Sequence, residues 1–271
     1  MAYKEFNDIN ILKKEIDFQK KEKQKSVVIL FITSHLDLAY PSALKSLSKN
    51  NEISLVIQVR GSNIGEMSHQ LDPLNHDDKE QLIKHNINYF CSFDYQRKDS
   101  FQIVNKQSLE LFGLQTQSVS GYLKTMLSFV QSFQVNRVVF LERHARQYYA
   151  LLDFVNELDM DLELSLIQES FAENSLRFFH DHDYILSSYP EEIDSLSRVL
   201  NSVIKNCRGI SKDLIKDRIC ERLEDEGLLK VSCRVYDPLN ADGEFITKST
   251  RFYLTLEIGG QLYVDDRSFI L

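Results

Sequence analysis

Several features that mark common classes of protein are scarce in this chain. Its four cysteines form no C-x-x-C pair, so the usual spacing of a zinc site or of a thiol–disulfide enzyme is missing. No apolar run approaches the roughly 20 residues that a transmembrane helix needs, and residues 1–25 are polar and charged. We therefore expect a protein of the reducing cytoplasm that has no membrane partner.

Basic residues are also too few for a general nucleic-acid surface. The chain has 32 Lys and Arg against 40 Asp and Glu, which gives a formal net charge of -8. Phosphate binding requires a basic face that displaces counterions, so we expect no nucleic-acid partner. The lysine-rich stretch 13–25 is interrupted by Glu15, Asp17 and Glu22, which is typical of the solvent-facing side of an N-terminal helix.

The short motifs of common nucleotide, metal and hydrolase sites are missing too. The sequence contains no Walker A, G-x-G-x-x-G, H-E-x-x-H or G-x-S-x-G pattern. Residues 180–183 read His-Asp-His-Asp, and on an extended segment His180 and His182 would share a face. A metal site is one interpretation of this segment and a solvated loop edge is the other. We favour the loop edge and assign no metal ligand.

The pattern that is present predicts an α/β domain followed by a smaller unit. At 271 residues, 43% of them apolar, the chain can form one large domain, or one large and one small domain. Continuous apolar runs that suit buried strands alternate with helical patterns, which favours a parallel sheet wound with helices on both faces. The predicted strands are 27–32, 53–59 and 137–141, and the predicted helices are 41–49, 77–84 and 121–133.

The order of elements changes after Ser188. Two helices are predicted, the second capped by Ser211 and stopped by Gly227, and three strands follow, the last two joined at Gly259-Gly260. We therefore predict a domain at 1–186 and a small α+β domain at 187–271. The helices are 190–206 and 211–226, and the strands are 229–236, 251–258 and 261–264.

A stretch between these two regions resembles a known enzyme family. Residues 137–147 read R-V-V-F-L-E-R-H-A-R-Q and residues 186–188 read L-S-S. This order is similar to that of the pantothenate synthetases, in which a strand ends in F-G-E-K-D-x-Q-Q and a later segment reads L-S-S-R. The resemblance implies a Rossmann-like nucleotidyltransferase domain with a parallel sheet. The matching residues are Phe140, Glu142, Gln147, Ser187 and Ser188.

The resemblance also implies a reaction and a set of ligands. Members of the family join pantoate to β-alanine through a pantoyl adenylate, with ATP and Mg²⁺, and form homodimers. The expected partners are therefore a small carboxylate and an amine. The resemblance implies substrate binding for Thr33 and Gln147 and nucleotide binding for His144, Ser187 and Ser188, and we predict that His35 and Arg143 are catalytic if the protein is active.

Several positions depart from the family pattern. In the turn after the first strand, the family's two histidines are replaced by Leu38 and Pro41, and His35 stands nearer the strand end. His35 is either a phosphate-binding side chain or a hydrogen-bonded turn residue. Gln147 is either a substrate ligand or an exposed residue on the next helix. The other replacements are Leu141 for glycine, Arg143 for lysine, His144 for aspartate and Tyr189 for arginine.

These departures leave two functions open. The motifs favour an ATP-dependent ligase that joins a carboxylate to an amine. The substitutions favour a catalytically inactive paralogue that binds a small carboxylate or a protein partner. Loss of one charge-assisted phosphate contact costs roughly 1.5–3 kcal/mol, so we expect weak ATP binding in either case.

Overall fold

The chain folds into two compact units, Met1–Ser170 and Phe171–Leu271. The computed structural model describes residues 3–23, 25–32, 36, 40–47, 52–60, 74–94, 116–167, 188–240 and 242–268. The predicted boundary at residue 186 lies outside the described residues.

The first unit contains a six-stranded sheet whose described pairings are all parallel. The strands are β1 (Lys4–Phe6), β2 (Val27–Ile32), β3 (Ile53–Arg60), β4 (Tyr89–Asp94), β5 (Arg137–Leu141) and β6 (Glu163–Ile167). Their order in the sheet is β1-β4-β3-β2-β5-β6. Strand β2 is buried at all six positions, as its continuous apolar run predicts.

Helices connect these strands and supply much of the core. One core cluster joins apolar residues of β2 and β5 to Tyr40, Leu44 and Leu47, which lie on one face of α2. The predicted helices are confirmed, with ends that differ by a few residues. The described helices of the first unit are α1 (Ile9–Lys23), α2 (Tyr40–Leu47), α3 (His76–Lys84), α4 (Thr116–Phe133) and α5 (Ala145–Glu157), with a 3₁₀ turn at Glu142–His144.

The start of α3 anchors the connection that follows β2. Asn75 Oδ1 accepts a hydrogen bond from the Asp78 N–H at 2.8 Å, and Asp78 Oδ2 accepts one from the Asn75 N–H at 3.1 Å. This reciprocal capping box satisfies two N–H groups at the helix start. The other oxygen of the buried Asp78 carboxylate, Oδ1, accepts from the Leu36 N–H at 2.8 Å. One carboxylate thus holds both a helix start and the backbone between β2 and α2.

A buried ion pair lies near the amino ends of β3 and β5. The guanidinium of Arg137 pairs with the carboxylate of Glu52, and only 10% and 13% of the two side chains is exposed. Arg137 also donates to the Ser46 carbonyl oxygen at 3.2 Å. The pair therefore joins β5 to the segments that end α2 and begin β3.

The second unit is a small α+β domain, as predicted. Its three strands form an antiparallel sheet in the order β7-β8-β9. The Ser211 hydroxyl accepts from the Leu214 N–H at 3.4 Å, and Gly227 has a φ of 82°, so both predicted helix ends are confirmed. The elements are α6 (Pro190–Ile204), α7 (Lys212–Asp225), β7 (Leu229–Tyr236), β8 (Arg251–Ile258) and β9 (Gln261–Ser268).

Candidate functional site

The strand order of the first unit defines where a ligand would bind. The order β4-β3-β2-β5-β6 is that of a Rossmann-type sheet, in which the chain progresses to one side of β2 and then returns to the other. The switch point lies between β2 and β5, where Leu30 is paired with Val139. Two residues further along, Ile32 and Leu141 end the two strands. Ligands in such sheets bind beyond these carboxyl ends, so the segment after Leu141 is the candidate site.

Leu141, which replaces the family's glycine, is a core residue. Its side chain is completely buried and belongs to the cluster that contains Leu30, Ile32 and Val139. Glu142 and His144 follow in the 3₁₀ turn, each with 3% of its surface exposed, and both make polar or electrostatic contacts. His144 is therefore a buried side chain that already has an interaction within the protein.

Gln147 combines the predicted position with an unsatisfied polar atom. It lies in the first turn of α5, three residues after His144 and so on the same side of the helix start. The residue is partly buried, and its Oε1 atom is shielded from water without a hydrogen-bond partner. An unsatisfied buried acceptor costs about 1–3 kcal/mol, so a hydrogen-bond donor from a ligand would stabilise this amide.

A hydrogen-bonded pair of polar side chains, Gln58 and Ser92, lies near the carboxyl ends of the strands and was not predicted from the sequence. Gln58 is completely buried in β3, and its Oε1 accepts from the Ser92 hydroxyl of β4 at 3.1 Å. In the sheet register Gln58 stands beside Ile32 on one side and Ser92 on the other. The only sequence signal was a glutamine inside the apolar run 53–59. The buried Gln58 amide is therefore a polar group one strand away from the switch point.

The described end of the Ser-Ser segment lies in the second unit. Ser188 is exposed, so its hydroxyl is available to solvent. Tyr189, which replaces the family's arginine, packs against the core of its own unit and donates from its hydroxyl to the Gly259 carbonyl oxygen at 3.4 Å. The described part of this segment, 188–190, therefore offers a hydroxyl and no cation.

Several predicted site residues fall outside the description. Thr33, His35, Ser187, residues 180–183 and the side chain of Arg143 lie outside the described residues. The structure thus brings Glu142, His144 and Gln147 together after β5, and Ser188 lies in the other unit.

One cluster of side chains with metal-ligand chemistry lies within the described parts of the chain. His76, Asp77 and Glu80 come together, all exposed, on the first turn of α3, with His76 Nδ1 3.5 Å from Glu80 Oε1. This is an ordinary solvent-facing pair one helical turn apart. Within the same ranges, no helix is long and apolar enough to cross a membrane.

The strand order and its switch point define an α/β protein with a nucleotidyltransferase-like fold. Among solved structures, this fold is that of the pantothenate synthetases. The pantothenate synthetase of Thermus thermophilus superimposes with a TM-score of 0.81 at 12% identity, over 99% of this chain and 100% of that chain. The pantoate-β-alanine ligase of Francisella tularensis, solved with Beta-gamma ATP and β-alanine, gives 0.71 at 12% identity, over 98% of both chains.

At this identity the likeness shows a shared fold, and it confirms the resemblance read from the motifs at that level. A scan against protein-family models finds no match, and no curated protein matches the chain. The function is therefore inferred from individual residues.

Proposed function

We propose that this chain is a pantothenate synthetase-like ligase that binds a hydroxy acid of the pantoate type at Gln147. The observation that carries the proposal is the unpartnered, buried Gln147 Oε1 in the first turn of α5, the helix that follows a strand of the switch point. Pantoate brings both hydroxyl groups and a carboxylate. A hydroxyl would donate to Oε1, and turning the amide over would present Nε2 to the carboxylate.

The proposed reaction is a condensation in two steps. The carboxylate of pantoate attacks the α-phosphorus of ATP and releases pyrophosphate, which gives a pantoyl adenylate. The amine of β-alanine then attacks the acyl carbon and releases AMP. In this proposal Gln147 and Thr33 orient the acid, His35 and Arg143 stabilise developing negative charge, and His144, Ser187 and Ser188 contact the nucleotide.

Whether Mg²⁺ could bind at this site depends on the carboxylates that are present there. Mg²⁺ prefers oxygen ligands and would neutralise charge on the triphosphate. The carboxylate that follows β5 belongs to Glu142, which is buried and already in contact with other groups. Among the described residues this carboxylate does not form an open magnesium site, so the ion enters the proposal only as a counterion of ATP.

A second candidate function is binding of a small carboxylate without catalysis, or of a protein partner. Tyr189 favours it, because the aromatic ring that replaces the phosphate-binding arginine is used for packing within its own unit. The charge-assisted contact to phosphate is lost at that position. This loss should weaken the binding of ATP more than it weakens the binding of the acid.

Calorimetry with the two substrates separates these candidates. We expect pantoate to bind the purified protein, and Gln147→Ala to weaken that binding at least about tenfold, the equivalent of 1.4 kcal/mol. Gln131→Ala, at an exposed glutamine of α4, is the matched control and should bind as the wild type does. Pantoate binding that is unchanged in Gln147→Ala would contradict the proposed site.

The ligase itself is tested by product formation. Pantothenate and AMP appearing together from pantoate, β-alanine and ATP would establish catalysis. Pantoate binding without formation of either product would support the second candidate function, binding of a small carboxylate without catalysis. A homodimer in the cytoplasm belongs to the same proposal, and sedimentation of the purified chain would test the dimer.

A further inference from the structure

Two cysteines of the second unit, Cys220 on helix α7 and Cys233 on strand β7, lie where the helix packs on the strand. Helix α7 packs on the unit's core through Ile215, Ile219 and Leu223. Cys220 lies at the border of this buried face and is partly exposed. Cys233 is a buried residue of β7 whose neighbours in the strand, Ser232 and Arg234, are exposed, so its side chain points towards the core on which α7 packs.

Cys220 packs against the core cluster that contains Cys233, and the two residues are hydrogen-bonded. The sulfur of Cys220 accepts hydrogen bonds from both the thiol and the backbone N–H of Cys233. These hydrogen bonds outweigh burial and lower the pKa of Cys220 from 9.0 to about 7. The lowered pKa favours the thiolate of Cys220, and the partial exposure of this residue makes it accessible to small reagents.

The other two cysteines lack these properties. Burial raises the pKa of Cys91 to about 11, and burial also raises the pKa of Cys207. Both side chains are buried, with 0% and 1% of their surface exposed. Cys220 is thus an accessible thiol with a second thiol beside it, whereas burial protects Cys91 and Cys207 from reagents.

We propose that Cys220 and Cys233 form an oxidation site for peroxide-class oxidants that closes to a disulfide within the chain. The Cys220 thiolate attacks one peroxide oxygen, the O–O bond breaks, an S–OH group forms, and the other oxygen leaves as water after taking up a proton. The Cys233 sulfur then attacks the Cys220 sulfur. An S–S bond forms, the S–O bond breaks, and a second water leaves. Two thiols are oxidised and one hydrogen peroxide is reduced to two waters.

The position of the pair gives the modification a structural effect. The new bond would tie α7 to β7 across the turn at Gly227 and close the loop 220–233. A cross-link restricts the unfolded chain, so we expect the oxidised protein to melt at a higher temperature than the reduced protein.

The experiment is peptide mapping after treatment of the full chain with a small excess of hydrogen peroxide. We expect a tryptic species in which residues 219–222 are joined to residues 231–234, with the loss of two hydrogens, and its disappearance on adding dithiothreitol. Cys220→Ser should abolish this species. Cys91→Ala should retain it, since Cys91 lies in the other unit.

Three outcomes would overturn the proposal. Unmodified Cys220 after treatment would show that the thiol is not reactive. Sulfinic acid at Cys220 without a cross-link would show that Cys233 cannot reach it. A disulfide between two chains through Cys220 would assign the thiol to a different reaction. Because mapping uses the wild-type chain, the result does not depend on whether variants of the buried Cys233 fold.

Discussion

The ring of Tyr189 covers the backbone of Gly259, and a Cβ built on Gly259 would overlap the ring. Gly259 has a φ of 57° in the turn between β8 and β9, a conformation that side chains other than glycine rarely adopt. The residue that replaces the family's arginine is thus matched to a glycine 70 positions later. This contact explains what the aromatic side chain does in the second unit.

We expect Tyr189→Arg to lower the stability of the second unit. Full burial of a large apolar side chain is worth about 1.5–3 kcal/mol, so loss of this partly buried ring should cost about 1 kcal/mol. For a unit of this size that corresponds to a fall in melting temperature of about 4–8 °C. Tyr189→Phe keeps the ring and should melt close to the wild type. If Tyr189→Arg melts as the wild type does, the ring does not contribute to packing.

Asp237 should make the second unit sensitive to acid. The carboxylate is completely buried, and it accepts from the hydroxyls of Thr247, Ser249 and Thr250 and from the N–H groups of Leu239 and Asn240. Burial raises the pKa of Asp237, but the hydrogen bonds outweigh burial and hold the pKa below its ordinary value of 3.8. Because the folded pKa is the lower one, the stabilisation is present above the unfolded pKa and is lost as the pH falls through the folded pKa.

We therefore expect Asp237→Asn to cost about 1.5–3 kcal/mol at neutral pH, the worth of a hydrogen bond to a charged group. The gap in unfolding free energy between wild type and variant should narrow as the pH falls below about 4. Urea titrations at several pH values measure both effects. Asp242→Asn, at an exposed position, is the control and should track the wild type. A gap that does not change with pH would show that ionisation of Asp237 is not linked to folding.

The Arg137–Glu52 pair should be costly to break and cheaper to replace. Removing one partner of a buried ion pair leaves an uncompensated charge and typically costs about 3–5 kcal/mol. We expect Glu52→Gln to destabilise the first unit by an amount in that range, and the double variant Arg137→Met, Glu52→Leu to recover much of it. Asp17→Asn, which breaks an exposed pair with Lys13, should cost less than about 1 kcal/mol. Equal losses in the buried and exposed variants would argue against burial as the cause.

Gln147 should show opposite effects on stability and on binding. Gln147→Leu removes the unsatisfied buried oxygen, so we expect the unliganded protein to be stabilised by about 1 kcal/mol while pantoate binding is lost. Thermal unfolding with and without pantoate measures both. Gln131→Leu, at an exposed position, should change neither property. A destabilised Gln147→Leu variant would show that the amide has a structural role.

Prediction from the sequence succeeded where local pattern decides. The run 27–32 has no polar residue, and it forms the buried β2 with the predicted bounds. Strands β4 and β6 were not predicted. The apolar residues of β4 are interrupted by Ser92 and followed by Asp94, and β6 contains the polar residues Glu163 and Ser165, so neither segment has the continuous apolar run that predicts β2. Both segments form strands because β4 pairs with β3 and β6 pairs with β5 in the sheet.

The sequence by itself determined the wound parallel sheet, the small α+β unit and the position of Gln147 after a strand, because periodicity and motif spacing act along the chain. Only the tertiary structure decided that Leu141 and His144 are buried, that Tyr189 packs on Gly259, and that Gln58 meets Ser92. Each of these facts depends on residues that are distant in sequence. Contacts between such residues, and the exclusion of water that accompanies them, determine whether a polar side chain has a hydrogen-bond partner within the protein or remains unpartnered until a ligand binds.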